Sequence, residues 1–172
     1  MLLRTLLEDT GNDQNFLHWN EPLRAKGLRY MDKQTELRQW IKIADGDLAA
    51  AQYLAFNMQP VSHEIVCFHC QQAAEKYLNW VLVLHDIDPP KIHDLEELEK
   101  LCENISPQFE TLFEKCAVLT EFAVHTRYPD EKILEKSDMN RALEYAQFIR
   151  EFVCEQFPEK FKIYAEENPS DQ

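Results

Sequence analysis

Leu37, Ile41, Ala44, Leu48, Ala51, Ala55 and Met58 recur at alternating spacings of four and three residues, and no other feature restricts the fold of this chain as strongly. An α-helix turns once in about 3.6 residues, so this spacing collects all seven side chains on one face. The remaining composition agrees. Only three glycines occur in 172 residues, which leaves little material for the tight turns of a multi-stranded sheet. The pattern predicts an all-α protein.

Punctuation divides the chain into further helices. Asn57 to Pro60 ends the first, and Ser62 is a good cap for a second that carries Val66, Cys70, Ala73, Tyr77, Val81 and Leu84 on one side. Asp86 to Pro90 breaks the chain before a short third helix, starting near His93-Asp94 with Leu95, Leu98 and Leu101 inward and closing at Asn104. Ser106-Pro107 signals a fourth helix, because proline at the first helical position loses no hydrogen bond. It places Phe109, Leu112, Phe113, Cys116, Leu119 and Ala123 on one face and ends at Tyr128-Pro129. Ser137 or Asp138 caps a fifth, with Ala142, Tyr145, Ala146, Ile149, Phe152 and Val153 inward, ending near Phe157-Pro158. Four long helices and one short one, joined by brief links, predict a four-helix up-and-down antiparallel bundle with one extra short helix. Residues 1–30, rich in breakers such as Gly11, Pro22 and Gly27, read as a weakly structured extension. The bundle is expected over 31–158, and 159–172 as an acidic tail.

Charge narrows the function. A formal net charge of -13 repels phosphate backbones and anionic bilayers, which argues against unassisted, sequence-independent nucleic-acid binding, DNA included, and against a membrane surface. Leu2, Leu3, Leu6 and Leu7 are interrupted by Arg4, Glu8 and Asp9, so no apolar run has the length of a membrane span or signal segment. Five cysteines, an odd number scattered through helical segments, fit reduced thiols in a cytoplasmic protein better than a disulfide scaffold.

On the second helix Gln71, Gln72, Glu75, Lys76 and Asn79 lie opposite Ala73, Tyr77 and Val81, with His69 at the boundary. Such a face ordinarily meets water; the alternative is a face shared with a partner subunit or lining a cleft, and Phe68 among the polar residues favours the second. His63, Cys67 and Cys70 have spacings of four and three that suit a metal, yet three ligands on one helix still lack a fourth. Packing is the simpler account of the two cysteines, and neither metal nor cofactor is expected.

Three stretches together carry a resemblance to a known family. His69-Cys70-Gln71-Gln72-Ala73-Ala74-Glu75-Lys76-Tyr77-Leu78, then His93-Asp94-Leu95, then Phe122-Ala123-Val124 with Arg127-Tyr128-Pro129-Asp130 look like the landmarks of HEPN domains, in order, from about Met31 to Pro158. The resemblance implies a helical bundle, usually a homodimer, related to the substrate-binding helical domain of nucleotidyltransferases. It also implies a small nucleotidyltransferase partner, often paired with it as toxin and antitoxin.

Some family members are metal-independent RNases that carry an arginine followed after four to six residues by a histidine. Here Arg127 has no histidine between Glu131 and Glu135. The arginine would stabilise charge on a phosphate, but the proton carrier is missing. His125, two positions before Arg127, points to nearly the opposite side of a helix. The resemblance therefore implies a dimeric module that binds a nucleotide, RNA or a partner nucleotidyltransferase. His69, Gln72, Lys76, His93, Arg127, Tyr128 and Asp130 are its candidate ligand contacts, with Lys76 and Gln72 expected on a phosphate or base. The alternative is a metal-independent endoribonuclease that uses Arg127 with a non-standard histidine such as His125 or His69.

Overall fold

The computed structural model describes residues 32–127 and 133–165, and for 125–127 the backbone alone. Its elements are α1 (Lys33–Asn57), α2 (His63–Leu84), α3 (Leu95–Glu103), a 3-10 helix (Pro107–Leu112), α4 (Phe113–Arg127), α5 (Lys136–Gln156) and α6 (Pro158–Ala165). There is no strand among the described residues, and none of their helices is long and apolar enough to cross a membrane. The all-α helical bundle expected from periodicity is present.

α2 is the hub, because it packs on α1, α3, α4 and α5. Its start is set by Ser62, whose hydroxyl accepts the backbone N–H of Ile65 at 3.4 Å. α1 runs antiparallel to it. Its apolar stripe of Leu37, Ile41, Ala44, Leu48 and Ala51 is fully buried, and Lys33 at its start reaches Leu84 O and Asp86 Oδ1 just past the end of α2. α5 closes the other side with Ala142, Ala146, Ile149 and Val153 in the core. Being wrapped on so many sides, α2 has no broad solvated face. Gln71, Glu75 and Asn79 are all buried, which corrects the expectation that these side chains meet water.

Three boundaries differ from the sequence reading. Ser106-Pro107 does open a helical segment, but its first six residues are 3-10 and Ser106 makes no capping hydrogen bond with its side chain. Phe109 and Leu112 are still buried, since an i, i+3 pair shares a face in either helix type. α5 begins earlier than Ser137: Glu135 is the N-cap, and Asp138 answers it from the third helical position in a reciprocal capping box. Residues 159–165, assigned to the tail, belong to α6, which starts at Pro158. Pro158 has no N–H to lose at a helix start, and Phe161 is buried against Tyr77 and Trp80, with ring centroids at 6.4 and 5.6 Å. That apolar anchor holds the segment helical.

Candidate functional site

The polar residues of α2 form one hydrogen-bonded strip with α1 and the entry to α3. His69 and Lys76 are seven positions apart, two turns on the same stripe, and both reach Asp47 on α1. His69 Nδ1 donates to Asp47 Oδ1 at 2.9 Å, and Lys76 Nζ lies 2.9 Å from Asp47 Oδ2. Lys76 also donates to the side-chain and backbone oxygens of Gln72, at 2.8 and 3.2 Å. Its three N–H bonds therefore have three acceptors.

Gln72 passes the polarity on. Because its Oε1 accepts from Lys76, its amide nitrogen faces Gln71 Oε1 at 2.8 Å. Gln71 then donates to Glu75 Oε2 at 3.0 Å and to the His93 carbonyl at 3.2 Å, and His93 Nδ1 donates to the same Glu75 oxygen at 3.1 Å. Asp94 accepts from Glu96 N and Glu97 N as the N-cap of α3, which fixes the backbone at His93. An unbroken chain of side chains thus runs from His69 to His93.

This geometry revises individual roles. Lys76 and Gln72 are saturated, so neither has a free donor for a phosphate without giving up a bond in the strip. Among the described residues, the Nε2 atoms of the two imidazoles and Glu75 Oε1 take no part in the strip's hydrogen bonds. A carboxylate can only accept, so in both histidines Nδ1 carries a proton. The strip holds two carboxyl side chains, Asp47 and Glu75, against the single amine of Lys76.

Of the candidates named from sequence, His69, Gln72, Lys76 and His93 come together. His125 and Arg127 belong to the last turn of α4, where only backbone is described. Tyr128 and Asp130 lie outside the described residues. His63 turns its Nδ1 to the Leu134 carbonyl at 2.9 Å, away from a shared role with Cys67 and Cys70. Both thiols are buried, and burial pushes the Cys67 thiol up to about 12 and the Cys70 thiol further. No group of three or more His, Cys, Asp or Glu is placed to hold a metal ion among the described residues.

Sequence reasoning missed Asp47, and with it a second acidic position on α1. Asp45 Oδ1 accepts from the Tyr77 hydroxyl at 2.6 Å and from Arg150 Nε at 2.7 Å. The Arg150 guanidinium also lies over the Phe161 ring. Burial, then the Asp45 carboxylate, drives the Tyr77 hydroxyl far above its ordinary range, so it serves as a donor.

Comparison with known proteins adds three findings. The model of the HEPN domain family matches residues 37–157. The crystal structure of TT1696 from Thermus thermophilus is similar, with 29% identity and a TM-score of 0.56 over 70% of this chain and 98% of that one. No curated protein matches.

Proposed function

The chain belongs to the HEPN domain family, and from that premise we propose that it is a dimeric binding module whose α2 strip and Arg127 together accept a nucleotide, RNA or a partner nucleotidyltransferase. The observation that supports this reading is the convergence of His69, Gln72, Lys76 and His93 in one ordered, half-exposed polar strip. Exposed apolar side chains flank it along the same helices: Ile65 one turn before His69 and Ile43 one turn before Asp47. They suit a second copy or a partner subunit covering the strip's surroundings. Arg127 is the group for ligand charge, since Lys76 is already engaged.

Thermal denaturation with ATP and with short RNA, on the parent and on Arg127→Ala, tests the reading. It fails if neither ligand stabilises the parent, or if the variant is stabilised equally. Sedimentation addresses the dimer, and a monomer at micromolar concentration counts against that half.

A second reading, a metal-independent endoribonuclease, is favoured by one feature: Asp47 orients His69 as a carboxylate orients a general base. Cleavage of structured RNA in chelator, lost in His69→Phe or His125→Ala, would replace the first reading.

A further inference from the structure

We propose that His69, aimed by Asp47, is the residue that reads a ribose hydroxyl of the bound nucleotide. This inference rests on the nucleotide form of the reading above and specifies which part of the ligand meets the strip. The His69 side chain is 28% exposed and that of Asp47 18%, so the ring is held in place yet reachable. Its Nδ1 proton is committed to Asp47 Oδ1 at 2.9 Å, and the Phe68 ring meets it edge-on at 5.7 Å. With its Nδ1 proton held by Asp47, the imidazole in its neutral form offers a lone pair at Nε2, and a lone pair selects a donor.

The surroundings select against an anion at the same place. Asp47 and Glu75 outnumber the ammonium of Lys76, and that ammonium has spent all three protons on Asp47 and Gln72. A phosphate oxygen at Nε2 would meet a lone pair beside a carboxylate. A hydroxyl meets an acceptor of fixed direction, and the only flexible element it must order is itself. Asp47 acts through His69 and is a positioning residue. Its second oxygen is tied to Lys76, which prevents the carboxylate from turning away.

The experiment is calorimetric titration of the full chain with ATP and with 2',3'-dideoxy-ATP, which lacks both ribose hydroxyls, for the parent, His69→Phe and Asp47→Asn. His69→Phe keeps the ring volume and leaves Asp47 paired with Lys76, so the bundle is expected to fold, and circular dichroism verifies it. The parent should bind ATP roughly tenfold more tightly than the dideoxy analogue, the effect of one well-formed hydrogen bond. In His69→Phe the ATP affinity should fall to that of the analogue, which itself stays unchanged. Asp47→Asn should narrow the preference with little effect on the analogue, whereas a purely structural role would weaken both ligands alike. Equal binding of the two ligands by the parent, or a preference that survives His69→Phe, overturns the role of His69 and leaves the binding module standing. Failure of both ligands to bind the parent overturns the nucleotide reading and this inference with it.

Discussion

Lys76 holds its ammonium 2.9 Å from the Asp47 carboxylate, with side chains 15% and 18% exposed. The pair is shielded enough that losing one partner strands the other in a poorly hydrated place. Lys76→Met should lower stability by about 1.5–3 kcal/mol, the range for a hydrogen bond to a charged group, and Asp47→Asn by a similar amount. The double variant should lose less than the sum, because each single change already removes the interaction. Urea unfolding of the four proteins measures the coupling; additive losses would show that the pair contributes nothing.

α6 is held by Phe161, which is packed with Tyr77 and Trp80 and roofed by the Arg150 guanidinium. Phe161→Ala should destabilise by about 2–4 kcal/mol, toward the low end of the range for buried aromatics because a terminal helix can shift to fill the space. Trp80 fluorescence should show its environment loosen at lower denaturant than the far-ultraviolet helical signal, a separation absent from the parent.

How much of this was readable from sequence depends on range. The stripe on α1 was legible because its cause, the 3.6-residue period, is local. Ser62 and Asp94 were legible as helix starts for the same reason. Asp47 was not, because its importance comes from residues 22 and 29 positions later that only antiparallel packing brings alongside. The burial of Gln71, Glu75 and Asn79 was equally hidden: nothing in α2 itself announces how many neighbours surround it. α6 had a readable signal in Pro158 with Phe161 and Tyr164 at helical spacing, which the acidic residues around it obscured.

Glu99 is 1% exposed, and its Oε1 has no hydrogen-bond partner among the described residues. Burial, with Glu103 adding repulsion, raises its carboxyl to about 6. A carboxyl raised in the folded state favours folding while protonated, so its contribution is fully present below about 4.5 and is lost as pH rises through about 6. Glu99→Gln should therefore gain on the order of 1–2 kcal/mol over the parent at pH 7.5 and show no gain at pH 4. A gain that does not vary with pH would refute the electrostatic account.

Burial also raises the thiols of Cys67, Cys70, Cys102 and Cys116, and Cys102 is further engaged with the Leu78 carbonyl. Thiolate is the reactive form. Cys154, which is partly exposed, should be the one cysteine that a thiol reagent labels quickly in the folded protein. The other four should react only on unfolding, as mass spectrometry of the labelled chain would show.

The strip between His69 and His93 has a direction. Lys76 sets the Gln72 amide, Gln72 sets Gln71, and Gln71 faces Glu75. Reversing one amide would put two oxygens or two NH2 groups face to face. A lineage drifting at these positions therefore has few single steps open to it, and relatives should replace positions 47, 71, 72, 75 and 76 in concert or keep them all.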